Sequence, residues 1–199
     1  FGLAIICLLS YGYGTFKPNK WAKDKVNDDV ENFYLQKIAD LDLREPEFTY
    51  NNDIQFVRAL HKCIDYINFT TPRMNRVPFE MIIGQAALET GWGTSRFAVE
   101  ANNLFGIRTW NKNAPQLKAK ENPNASWGVK KYETKCLSVK DMIEIINRHH
   151  VYEDFRVERA LQFESGIIDI DAQIDHLHKW STNPDYTKLV KNRAKKIHS

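Results

Sequence analysis

The sequence predicts a mostly helical α+β domain, and three features lead there. Apolar residues recur at helical spacing up to about residue 90, and they do so again from residue 137. Between these stretches, residues 104–132 lose that period and gather Gly106, Pro115, Pro123 and Gly128 among several asparagines. Such a composition belongs to loops around a short β-hairpin. A cleft between a helical body and a small β lobe is the natural place for a site.

The elements follow in chain order. Residues 1–9 are apolar and no charge appears before Lys17. Residues 1–14 are therefore expected to be the truncated hydrophobic part of an export signal or of a membrane anchor, shorter than the roughly 20 residues of a full span. Within residues 15–47, a helical spacer is expected over residues 21–44, where Val26, Val30, Phe33, Tyr34, Ile38 and Leu41 share one face. The main domain is expected over residues 48–199. Its helices should cover residues 52–69 and 78–90, with Pro78 suiting a first turn. After the lobe, Val139, Met142, Ile143 and Ile146 mark another helix, followed by helical segments at 155–163 and 170–180. The tail "KLVKNRAKKIHS" reads as a solvated basic helix face. Cys63 and Cys136 fit either a disulfide in an oxidising compartment or two buried thiols.

Composition excludes several function classes. A net charge of +3 in 199 residues, without basic runs interleaved with aromatics, argues against nucleic acid. It is compatible with an anionic polymer. His149 with His150, and His176 with His178, have spacings that do not place two imidazoles on one helix face, so no metal is expected. No phosphate-binding glycine loop or nucleophile elbow occurs, and no cofactor is expected.

The run "GQAALETGWGTSRFAVEANNLFG", residues 84–106, carries the chemistry. At about 100° per residue from Phe79, Ile82, Ile83, Ala86 and Thr90 form one narrow stripe with Glu89 at its border. A carboxyl there loses hydration and faces the negative end of the helix dipole, and both raise its pKa. A carboxyl kept protonated near neutral pH suits a general acid. Trp92 offers an apolar wall, and Gly91 and Gly93 let the chain turn away. An exposed glutamate before an ordinary glycine stop fits the spacing equally well.

"VPFEMIIGQAALETGWGTSRFAVEANNLFGIR", residues 77–108, resembles the signature region of the glucosaminidase family of peptidoglycan hydrolases, glycoside hydrolase family 73. The resemblance extends more weakly over residues 56–189 and is nearest to the stand-alone Bax-type members. It implies a lysozyme-like fold with a β lobe flanking the cleft, and cleavage of the β-1,4 bond after N-acetylglucosamine in peptidoglycan. It places the catalytic carboxyl on Glu89, with Gln85, Trp92, Asn102, Asn103, Phe105 and Gly106 at matching positions.

Where the family draws a second acid from the lobe, Trp127 and Gly128 stand here. Glu121 is the candidate nearest to hand, with Glu133 and Glu100 behind it; substrate-assisted hydrolysis is the alternative. "WSTNPDYTKLV" resembles the family's tyrosine segment, with Trp180 in place of the first tyrosine and Tyr186 matching the second. The resemblance implies an exported, monomeric enzyme acting on glycan strands in the periplasm or cell envelope, and the apolar leader would supply any tether to the inner membrane. A muramidase or lytic transglycosylase of related fold is the other enzymatic reading. A cell-wall binding protein that has lost catalysis is the non-enzymatic one, motivated by the missing lobe acid.

Overall fold

The computed structural model describes residue 5, residues 20–41 and residues 43–197. Apart from Ile5, the expected leader over residues 1–14 lies outside the described residues. Among the described residues, no helix is long and apolar enough to cross a membrane.

The chain forms two compact units, residues 1–44 with 69–72 and residues 45–68 with 73–199. The first is built on α1, Lys20–Asp40. Val26, Phe33 and Leu41 are 61%, 56% and 62% exposed, and Tyr34 meets Phe33 and Phe69 edge-on, at 5.5 and 5.7 Å.

The second unit is the helical body with its lobe. Helix α2, Asp53–Thr70, buries Phe56, Leu60, Cys63, Ile64 and Ile67 along one stripe, and the Asn52 side chain accepts from the Gln55 N–H at its start. Helix α3, Phe79–Thr90, follows Pro78. Then come α4, Arg96–Glu100, capped by Ser95, and the lobe strands β1, Arg108–Thr109, β2, Gln116–Leu117, and β3, Gly128–Lys130. Helix α5, Lys135–Arg148, is capped by Thr134; α6 is Glu153–Ser165 and α7 is Ile170–Asp175. A 3-10 turn, His176–Lys179, leads on towards the last helix, α8, Tyr186–Lys195. Cys63 and Cys136 are joined as a disulfide between α2 and α5. The whole is the mostly helical α+β class expected.

Three details depart from the sequence reading. The lobe is a three-stranded antiparallel sheet in the order β1-β3-β2, not a single hairpin. The last strand enters between the first two, so Val129 pairs with both Arg108 and Leu117. Helix α3 is buried along its whole run from Met81 to Ala87, not along one stripe, because neighbours cover it on more than one side. One of those neighbours is α8. The basic tail is therefore not merely a solvated face: Tyr186, Val190 and Ala194, one helical turn apart, are buried, Lys191 pairs with Asp175 at 2.7 Å, and Lys188 and Lys195 are exposed.

The contact between α3 and α8 depends on Gly84. A Cβ there would stand 2.8 Å from the Val190 carbonyl oxygen and 3.2 Å from the Ala194 nitrogen, so any side chain forces the helices apart. Gly84→Val should destabilise the fold by about 1–3 kcal/mol, the usual cost of overpacking. Urea denaturation checks this, and an unchanged midpoint contradicts the close approach.

Candidate active site

Glu89 sits in the last turn of α3. Gly91 closes that helix in a left-handed conformation, its N–H on the Ala87 carbonyl. Thr90 organises the turn that follows: its Oγ1 donates to the Ala86 carbonyl at 2.5 Å and accepts from the Gly93 N–H at 2.7 Å. At Gly93, φ is 84° and a Cβ would stand 2.7 Å from the Phe56 ring, which explains a glycine where the chain doubles back over the core. The Tyr50 hydroxyl donates to the Gly93 carbonyl at 2.7 Å and fastens the turn.

The Glu89 carboxyl is half-buried. Burial pushes its pKa above the ordinary 4.5, and a hydrogen bond from Tyr186 and the positive field of Arg108 offset that rise only in part. Its place at the carboxyl end of a helix acts in the raising direction too. The Tyr186 hydroxyl donates to Oε1 at 2.7 Å, and Gln85 Nε2 donates to that hydroxyl at 3.1 Å. With Gln85 filling an acceptor site of the hydroxyl, its proton is directed at Glu89. Burial, and then the Glu89 charge, push the Tyr186 pKa up, so this phenol stays a donor. Oε2 lies beside Gly106, where a Cβ would be 3.6 Å away.

The paired asparagines hold the lobe. Asn103 is buried; its Nδ2 donates to the carbonyls of Ile107 and Lys130 at 2.9 and 2.8 Å. Its Oδ1 accepts from the N–H groups of Phe105 and Ile107 at 3.2 and 3.1 Å. The whole amide is thereby spent on backbone. Asn102, with φ of 52°, donates to the carbonyls of Tyr132 and Glu133 and accepts from Lys135 Nζ. Lys130 and Tyr132 both reach Asp141 Oδ2 at 2.6 Å, tying the lobe to α5.

Between lobe and body opens a cleft of about 950 Å³, lined from the lobe by Phe105, Gly106, Arg108, Trp110 and Trp127, and from the body by Glu89, Tyr152, His178, Lys179 and Trp180 among others. Glu89 is the one carboxylate among its described lining residues. The Trp180 indole donates to the Phe105 carbonyl at 3.2 Å and lies 5.9 Å from the Tyr152 ring. Burial raises the Tyr152 pKa to about 12, so that hydroxyl is neutral. No group of three or more His, Cys, Asp or Glu that could hold a metal stands among the described residues.

Of the residues singled out by the sequence, the cleft brings together Glu89, Asn103, Phe105 and Trp180. Gln85 and Tyr186 lie behind Glu89. Trp92 packs edge-on against Phe56, with centroids 6.5 Å apart, and Asn102 faces the start of α5; neither lines the cleft. Glu121 is exposed on the turn between β2 and β3, two residues from Ala119, which does line it. Glu100 pairs with Arg96 at 3.1 Å, and Glu133 offers the cleft no carboxylate. Sequence reasoning missed Arg108, Trp110 and Tyr152 as lining residues. The available signal was strand alternation from buried Ile107 to exposed Arg108.

A family model described as Glucosaminidase, mannosyl-glycoprotein endo-beta-N-acetylglucosaminidase, matches residues 71–199. The Protein bax of Escherichia coli (strain K12) is 30% identical over 116 residues. That match covers 58% of this chain and 40% of the relative, so the chain spans less than half of that protein's length. A chain in the structure of a type VI secretion system effector-immunity complex from Pseudomonas protegens is similar at 22% identity and a TM-score of 0.44, over 73% of this chain and 89% of that one.

The raised pKa of Glu89 has a consequence for stability. Between pH 4.5 and that raised value, the folded protein binds more protons than the unfolded chain. The corresponding stability is full below pH 4.5 and lost as pH rises through the folded value. Glu89→Gln abolishes this ionisation. Its stability relative to wild type should therefore increase from about pH 4 to about pH 8. Urea midpoints at both pH values test it; a variant that loses ground toward pH 8 contradicts the burial of this charge.

Proposed function

The chain belongs to the glucosaminidase family, and on that premise we propose that it is a peptidoglycan hydrolase that cleaves the β-1,4 bond after N-acetylglucosamine, with Glu89 as general acid. The observation that carries this reading is Glu89 itself, the lone carboxylate among the described lining residues of a glycan-sized cleft, its pKa raised by burial. Because Tyr186 occupies Oε1, the acid proton belongs on Oε2 beside Gly106. From there it passes to the departing glycosidic oxygen as the bond to C1 breaks and positive charge develops on the sugar.

The second half of the reaction needs a group to meet C1. No described lining residue supplies a carboxylate for it, and Glu121 would have to swing in from an exposed turn. We assign that role to the substrate. The carbonyl oxygen of the 2-acetamido group attacks C1 as the leaving group departs with the Glu89 proton, and water then opens the cyclic intermediate while returning a proton to Glu89. Trp180, half-buried on the body side of the cleft, offers the apolar surface on which a sugar ring rests. The Cys63–Cys136 disulfide supports action in an oxidising compartment outside the cytoplasm.

Glu89→Gln should lower hydrolysis of peptidoglycan by about 10²- to 10⁴-fold without loss of folding, whereas Glu121→Gln should keep a rate close to wild type. Digests analysed by mass spectrometry test both the site and the bond cut. New reducing-end N-acetylglucosamine supports the proposal; reducing-end or anhydro N-acetylmuramic acid makes the chain a muramidase or transglycosylase instead. Absence of any cleavage leaves it a binding protein, and a severe loss in Glu121→Gln restores the two-carboxylate mechanism.

A further inference from the structure

The lobe wall of the cleft holds a feature that the proposed chemistry does not use. Arg108, on β1, lies over the Trp127 ring with its guanidinium carbon 3.9 Å from the ring centroid. At that distance cation–π attraction holds the guanidinium against the ring face. Arg108 is exposed, and both residues line the cleft. None of the described residues takes a hydrogen bond or forms an ion pair with that guanidinium. A guanidinium held against a ring, with five donors and no acceptor, is an incomplete pair.

Charge around the cleft points the same way. Across from the lobe, the body contributes exposed Lys179, and the one carboxylate of the described lining is Glu89. Neutralised by its own proton when poised as an acid, Glu89 leaves the cleft with a net positive field. A neutral sugar polymer would gain nothing from this arrangement. A glycan bearing carboxylates would.

We propose that Arg108, held over the Trp127 ring, is a specificity-determining residue that pairs with a carboxylate borne by the muramoyl units of the glycan, so that the cleft selects anionic over neutral β-1,4 strands. The assignment rests on the reading of the cleft as a peptidoglycan site and names what in the substrate it recognises. The carboxylate has two sources with one chemistry, the lactyl group of a peptide-free muramic acid and the carboxylates of a stem peptide. Trp127 is the shelf. Without it, the arginine keeps its charge but loses its support, and the preference weakens without vanishing.

Binding tests this apart from catalysis. In the full chain carrying Glu89→Gln, calorimetry compares three tetrasaccharides: one of N-acetylglucosamine alone, one alternating with peptide-free N-acetylmuramic acid, and the latter bearing its stem peptides. An anionic strand should bind tighter than the neutral one by about 10-fold or more, the scale of a charge-assisted hydrogen bond, and the gap should narrow with salt. Adding Arg108→Gln should erase most of that gap, Arg108→Lys should restore part of it at low salt, and Trp127→Leu should fall between. A preference already present for the peptide-free strand identifies the lactyl carboxylate, and one that appears with the stem peptides identifies theirs. Equal binding of all three by the parent, or a gap untouched by Arg108→Gln in a protein with an unchanged melting temperature, overturns the assignment. Should the preference hold while the wild-type protein leaves peptidoglycan uncut, the proposed hydrolysis fails and the anion-reading wall stands.

Discussion

The backbone-to-backbone approach of α8 to α3 at Gly84 is the contact on which the rest of the site depends. It carries Tyr186 across 97 residues of sequence to within 2.7 Å of Glu89, and it seals one side of a helix already covered on others. A carboxyl at the end of such a helix has little water, an opposing dipole and one designated donor. Each of these follows from packing, and together they separate the two carboxyl oxygens: one is held by the phenol, the other faces the cleft. A larger residue at position 84 would disturb not only stability but the asymmetry of the acid.

The lobe is organised by a second economy of the same kind. Asn103 directs all of its side-chain hydrogen bonds at backbone, joining Phe105, Ile107 and Lys130 into one corner. That corner aims the Phe105 carbonyl at the Trp180 indole and sets Gly106 next to Glu89 Oε2. It also fixes the register in which Arg108 leaves β1 on the cleft side while Ile107 stays in the core. Glu89 on the body and Arg108 on the lobe thus share one frame, although the jobs proposed for them differ: one delivers a proton, the other reads charge.

Much of this was legible in the sequence, and the reasons are specific. Helices α2 and α5 announce themselves because their apolar residues meet a core on one face only, so the 3.6 period survives. Helix α3 hides its burial: small residues such as Gly84, Ala86 and Ala87 pack closely on every side and weaken the period. The role of α8 was obscured because Tyr186, Val190 and Ala194 are only three positions in a segment rich in lysine and arginine. Glu89 and the asparagines stood out through their place in a long family-like run, but their contacts did not. Whether an asparagine faces sugar or backbone is decided by which carbonyls the fold brings near it. The pairing of Arg108 with Trp127 joins a residue of β1 to one just before β3, and neither local spacing nor propensity encodes it.

The central claim is that burial raises the Glu89 pKa above that of an ordinary carboxyl. Labelling glutamate side-chain carboxyls with ¹³C and following their chemical shifts with pH, with Glu89→Gln to assign the resonance, measures this directly. The account predicts a midpoint for Glu89 above 4.5, rising further when Tyr186→Phe removes the hydrogen bond that favours the charged form. A midpoint at or below 4.5, or one that falls in Tyr186→Phe, would contradict it.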